Sequence, residues 1–157
     1  MLRTIPAASL VYVDETGIDQ YLHREYGYSP RGEKVFGKIS GKKYKRTNIL
    51  AGICQKEWVA PLQYSGTTDS VLFEHWFEHC LLREINCDST IILDNARFHR
   101  KSVLPELAKQ KNCHILFLPP YSPDLNPIEK KWAWLKRTLR KTLPSFDTFD
   151  AALLCCF

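Results

Sequence analysis

The stretch from Leu116 to Lys141, LFLPPYSPDLNPIEKKWAWLKRTLRK, constrains this chain most. It leaves an apolar strand, passes four prolines and enters a helix. Pro119, Pro120 and Pro123 forbid helix and hold an extended, turning loop. Pro127 takes the favoured first helical position, with Asn126 before it as the expected N-cap. Glu129 stands at the capping-box position. Ile128, Trp132, Leu135 and Leu139 then recur at helical spacing, and Lys130, Lys131, Lys136, Arg137, Arg140 and Lys141 cover the other faces. One carboxylate is thus delivered to the start of a helix that is basic on its outer faces. A carboxylate among so many cations suits a site that holds both a metal ion and a polyanion.

The rest of the chain supplies a sheet. Ser9 to Asp14 is an apolar, β-branched run that reads as a strand buried on both faces, with a turn at Gly17. Tyr21 to Arg31 reads as a second strand ending in a Ser-Pro turn. Thr47 to Cys54 and Trp58 to Tyr64 form a hairpin. Thr67 and Thr68 offer caps for a helix from about Asp69 to Ile85. Its buried face is Leu72, Phe73, Trp76, Phe77, Cys80 and Leu81. Ser89 to Leu93 is a central strand ending in Asp94, Arg100 to Lys111 a helix, and Cys113 to Leu118 the last strand. Ala151 to Phe157 begins a helix without finishing it. The expected architecture is α/β, a mixed sheet of about five strands flanked by helices.

Charge is distributed unevenly. Arg31, Lys34, Lys38, Lys42, Lys43, Lys45 and Arg46 form one basic cluster and the six cations of the final helix another, 13 of the 22 Lys and Arg residues. Clustering of this kind is the footprint of a nucleic-acid partner, although two solvated faces give the same pattern. The candidate DNA contacts are Arg31, Lys34, Lys42, Lys43, Lys45, Arg46, Lys130, Lys131, Lys136 and Arg137. The six cysteines form no C-x-x-C pair and are expected to be small buried hydrophobes of a reducing compartment. No apolar run approaches membrane-spanning length and no signal pattern follows Met1, so a cytoplasmic protein without a membrane partner is expected.

Asp14 and Asp94 each terminate an apolar strand and Glu129 starts a helix. Strand ends are where open sheets place ligand groups. Three converging carboxylates suit two hard divalent cations, which clamp the attacking and leaving oxygens of a phosphodiester displacement. Each residue has a plainer reading. Asp14 serves equally as an exposed strand end, with Glu15 the ligand instead; Asp94 as a helix N-cap; Glu129 as half of a capping box. His99 stands where it can approach a phosphate or brace the loop, and Asn95 and Asn126 where they can orient the carboxylates.

The segments VDETG, LDNARFH and LPPYSPDLNPIEKKWAWLKR resemble the three catalytic motifs of the DDE transposases of bacterial insertion sequences in the mariner-related superfamily. Thirty-four residues separate Asp94 from Glu129, as in that superfamily. The third motif is long and highly specific, and the resemblance runs over almost the whole chain, including GYSPRGEKV. It implies an RNase H-like fold, catalytic and metal-holding Asp14, Asp94 and Glu129, and two magnesium or manganese ions. The implied reaction cuts DNA at transposon ends and then joins the free 3′-hydroxyl to target DNA, for the superfamily at a TA dinucleotide. It also implies a homodimer when active, in the bacterial nucleoid. Such transposases carry a helix-turn-helix region ahead of the first strand and continue past the third motif. Residues 1–157 are therefore expected to be a single catalytic domain without the helix-turn-helix region and truncated at its end, either the second product of a split reading frame, with the helix-turn-helix on a separate polypeptide, or a decayed fragment. The alternatives are another RNase H-like nuclease, or an inactive remnant that only binds nucleic acid.

Two features compete with this reading. His75 to His79, HWFEH, matches a zinc-hydrolase pattern, but Trp76 and Phe77 belong to the buried stripe and no third ligand is evident. Trp134 stands off the apolar stripe of its helix and is free to meet a neighbouring domain, a partner subunit or DNA.

Overall fold

Three strands pair antiparallel and two more join in parallel to make one sheet in the computed structural model, which describes residues 6–19, 29–34, 45–120 and 122–157. The strands are β1 (Leu10–Asp19), β2 (Arg46–Cys54), β3 (Glu57–Tyr64), β4 (Thr90–Leu93) and β5 (His114–Phe117). Their spatial order is β3-β2-β1-β4-β5. Alternation along the strands divides the core in two. Val11 and Val13 of β1, Leu50 of β2, and Ile91 and Leu93 of β4 pack on Phe73, Trp76, Phe77, Leu81, Leu104 and Ala108. Ile18 of β1 and Ile49, Ala51 and Ile53 of β2 face the other way, onto Ile128, Trp132, Leu135, Leu139 and Leu153. The first face carries α1 (Ser70–Trp76), a π-helical turn (Phe77–Leu81), α2 (Leu82–Glu84) and α3 (Leu104–Lys109). The second carries α4 (Ile128–Thr142) and α5 (Phe149–Leu154).

Several expectations are corrected. β1 does not turn at Gly17 but runs on to Asp19, with Gly17 opposite Asn48 of β2. Asp14 is therefore within a strand. Its β4 neighbour, however, pairs only with Leu10, Val11 and Tyr12, so Asp14 lies where β1 and β4 part. The cap of α1 is Asp69, which accepts from the Leu72 N–H at 2.8 Å. Thr68 is unavailable because its hydroxyl bonds Glu15. Asn126 does not cap α4 through its side chain; its main-chain carbonyl takes the Glu129 N–H at 3.2 Å instead. The helix expected over Arg100 to Lys111 is regular only as α3, and no helix starts directly after Asp94. α5 begins earlier than expected, at Phe149, capped by Thr148. Of the cysteines only Cys113 and Cys156 are buried, while Cys87 and Cys155 are exposed. The strand expected from Tyr21 falls mainly outside the described residues.

β3 carries one irregularity with a cause. Pro61 cannot donate to the ladder, and the register to β2 shifts there. Ala60 adopts φ 48°, its N–H donating to Glu84 at 2.7 Å and its carbonyl accepting from the Trp76 indole at 2.8 Å. The bulge thus ties the edge strand to the helical layer.

Candidate active site

Asp14 points to the α4 side of the sheet. Its Oδ2 accepts from the Trp132 indole N–H at 3.1 Å. The carboxyl is mostly shielded from water, and burial pushes its pKa up to about 7. The charges of Glu129 and Asp94 push the same way, against hydrogen bonds from the Glu15 N–H and Trp132. Positive charge placed beside this carboxylate would favour its ionised form.

Asp94 follows β4 directly. Its Oδ1 accepts from the Ala96 N–H at 3.0 Å and faces His99 Nδ1 at 3.1 Å. His99 Nδ1 also lies 3.2 Å from the Asp94 carbonyl. The imidazole is 6% exposed and packs against Phe73, ring centroids 4.2 Å apart and planes tilted by 51°, which fixes its position. The bond from His99 holds the Asp94 carboxyl below its ordinary range. The two aspartates are thus driven in opposite directions, one buried and the other braced.

Glu129, exposed in the first turn of α4, joins both aspartates on one open cavity of about 470 Å³. Asn95 and Asn126 line the same cavity, with Pro119 and Pro120 as its rigid wall. Asn95 donates to the Leu118 carbonyl at 2.5 Å, which fixes the amide. The Oδ1 atoms of Asn95 and Asn126 are buried and have no hydrogen-bond partner among the described residues. Three carboxylates with two unpartnered amide oxygens form an all-oxygen donor set, which fits magnesium or manganese and not zinc. Among the described residues no three His, Cys, Asp or Glu side chains stand close enough together to ligate one ion as they are. The carboxylates share a cavity, and to hold one ion together they would have to draw in.

Glu15 points to the opposite face. Its carboxylate accepts from the Thr68 hydroxyl and from Tyr64 at 3.2 Å. It lines a second pocket, with Arg46, Lys136 and again Glu129. Arg31, Lys34, Lys45, Lys130 and Arg137 are exposed. Lys131 turns away to the β2–β3 hairpin, donating to the Lys56 carbonyl at 2.6 Å and lying over the rings of Trp58 and Trp134. Lys42 and Lys43 lie outside the described residues. Trp134 remains 45% exposed. His75 and His79 meet edge to face at 4.4 Å, and the Glu78 carboxylate lies 3.9 Å from His79 Nε2.

Sequence reasoning placed Trp132 in the core and missed its second task. A buried indole N–H needs an acceptor, and that rule was the available signal. The seat that Gly17 provides for Arg46 left no signal, because a lone glycine reads as a turn.

Residues 9–151 match the family model of the DDE superfamily endonucleases. An uncharacterized protein of Sinorhizobium fredii (strain NBRC 101917 / NGR234), y4pE/y4sA, is 27% identical over 122 residues, 78% of each chain. The Mos1 transposase paired-end complex with left transposon end superposes with TM-score 0.69 at 19% identity, covering 85% of this chain and 42% of that one. The catalytic domain of Mos1 mariner transposase gives 0.57 at 16% identity, over 96% of this chain and 68% of that one. The catalytic core domain of BIV integrase gives 0.55 at 15%, over 95% and 80%. This chain therefore spans less than half of the full Mos1 chain it matches. The sheet order and its helical layers are those of RNase H-like transposase and integrase cores, and with its match over 9–151 the chain belongs to the DDE superfamily endonucleases.

Proposed function

We propose that this chain is the catalytic domain of a transposase that cuts and joins DNA, with Asp14, Asp94 and Glu129 holding two divalent ions. The observation that carries this reading is their delivery to one cavity from β1, the end of β4 and the start of α4. Mos1 structures described as paired-end complexes with Mn and with Mg add support for such ions. When bound, the ions supply Lewis-acid stabilisation of the attacking and leaving oxygens. The chain's own residues do the rest. Trp132 holds the Asp14 carboxylate from behind, and His99 fixes Asp94 against the Phe73 wall. The proline loop closes one side of the cavity. Water attacks phosphorus and the P–O3′ bond breaks, leaving a 3′-hydroxyl and a 5′-phosphate. That hydroxyl then attacks a target phosphodiester, whose own 3′-oxygen leaves with a proton. Residues 9–151 act as one catalytic domain, paired with a second copy.

The test is magnesium-dependent nicking of duplex DNA, at high DNA concentration, by the chain and by Asp94→Asn. The substitution keeps size and removes the charge that draws the cation. Nicking by the wild type that is lost in Asp94→Asn, with folding intact, is the expected result. Wild-type-like nicking by Asp94→Asn overturns the role of Asp94. Inactivity of both favours a remnant that only binds nucleic acid.

A further inference from the structure

Beyond Glu129 lies a second pocket of about 570 Å³ that the three-carboxylate chemistry leaves unused. Arg46 at the start of β2 and Lys136 on α4 both line it, one from each basic cluster. Lys136 stands two turns after Glu129, on the same face of α4. Among the described residues neither cation takes part in an ion pair. Two carboxylates also line the pocket. That of Glu15 is turned to the hydroxyls of Thr68 and Tyr64, and that of Glu129 also lines the metal-type cavity.

The seat of Arg46 is specific. Its Nε donates to the Asn48 side chain at 3.4 Å, and the Asn48 amide in turn donates to the Gly66 carbonyl at 2.5 Å. The guanidinium lies against Gly17, where any Cβ would overlap Nη2, Nε and Cζ of Arg46. Gly17 is not among the glycines of positive φ, so the backbone there accepts any residue. A side chain at this position would push the arginine out of its seat.

We propose that this pocket seats a non-scissile phosphate of the DNA strand being cut, with Arg46 and Lys136 as its ligands and Gly17 as the notch that admits Arg46. The proposal rests on the reading of Asp14, Asp94 and Glu129 as a DNA-cleaving centre. Phosphates repeat along a strand, so a strand whose scissile phosphate lies at those carboxylates carries its neighbour past Glu129. Two cations that form no ion pair among the described residues, one with a planar fork of donors, suit a phosphodiester.

The test is binding of a labelled generic duplex in magnesium buffer, followed by anisotropy over a range of salt. Arg46→Gln and Lys136→Gln should each weaken binding about tenfold, the size of a charged hydrogen bond. Each should lower the slope of log affinity against log salt by about one. Gly17→Ala should weaken binding by a similar factor while leaving net charge unchanged, and should add nothing to Arg46→Gln. Lys109→Gln, which makes the same charge change on α3 outside both pockets, should have little effect. Thermal melts check folding, and if Gly17→Ala does not fold, the Arg46 and Lys136 variants decide. Binding that Arg46→Gln and Lys136→Gln leave unchanged, or a Gly17→Ala effect that adds fully to Arg46→Gln, overturns the pocket alone. Saturable binding of inorganic phosphate that does not compete with DNA assigns the pocket to a free anion and also overturns it. Absence of any wild-type DNA binding overturns the cleaving reading and the pocket together.

Discussion

The indole N–H of Trp132 donates to the carboxylate of Asp14 at 3.1 Å, although 118 positions separate them in the chain. The same ring stacks on Trp58 at 4.7 Å and belongs to the core beneath α4. One side chain thus couples the packing of α4 to the aim of a carboxylate on β1. Trp132→Phe keeps much of the apolar contact and loses the donor. At about pH 8 it should cost roughly 1.5–3 kcal/mol, the range for a hydrogen bond to a charged group. Because the bond favours ionised Asp14, the cost should shrink at about pH 4, where Asp14 carries its proton in the fold. Urea melts at the two pH values measure this, and equal losses at both would show that the bond contributes nothing.

Asp14 should itself destabilise the metal-free fold at neutral pH. Its carboxyl rises from 3.8 to about 7 on folding. Between those values the folded chain keeps a proton that the unfolded chain releases, so stability falls as pH rises through the window. At 1.36 kcal/mol per pH unit the ceiling is roughly 4 kcal/mol. Asp14→Asn removes the titration and retains an acceptor for Trp132. Without divalent ions the variant should exceed the parent by about 2–4 kcal/mol at about pH 8 and match it near about pH 4. A variant equally or less stable at both would refute the buried-charge account of Asp14.

His99 should act through Asp94 as a positioning residue. Its Nδ1 faces the Asp94 carboxylate at 3.1 Å while its ring packs on Phe73. His99→Asn retains a donor of similar reach, and His99→Leu retains only bulk. Nicking should fall about tenfold to a hundredfold in His99→Leu, the usual cost of losing a group that orients a metal ligand. His99→Asn should recover a large part of it, and raised magnesium should rescue His99→Leu more than the wild type. Equal losses in the two variants, with no response to magnesium, would reduce His99 to a packing role.

Much of this was legible in the sequence because local rules and tertiary needs agree. The proline run, the apolar stripe Ile128–Trp132–Leu135–Leu139 and the short apolar strands all behave as their periods require. Asp94 and Glu129 sit at an element's end and an element's start, which periodicity exposes. Asp14 lies inside a strand, and its importance comes from the parting of β1 and β4, a property of pairing that no single segment encodes. Gly17 misled for a related reason. Turn chemistry and close side-chain approach both call for glycine, and only the placement of Arg46 distinguishes them. Asn126 lost its capping role because its side chain was buried at the cavity while its carbonyl met the helix.

The last prediction decides between Asp14 and Glu15, neighbours in sequence that point to opposite faces of the sheet. Asp14 shares a cavity with Asp94 and with the unpartnered amide oxygens of Asn95 and Asn126. Glu15 is already satisfied by Thr68 and Tyr64. A cation bound only by the folded chain stabilises it by about 2.7 kcal/mol at a hundredfold excess over Kd. Magnesium should therefore raise the melting temperature of the wild type at about pH 8, where Asp14 is ionised. The increment should vanish in Asp14→Asn and Asp94→Asn, whose acceptors are neutral. Glu15→Gln should keep it, since that side chain faces the second pocket. Calorimetric scans with and without magnesium give all four increments. Loss of the increment in Glu15→Gln with retention in Asp14→Asn would move the metal site to the opposite face of β1.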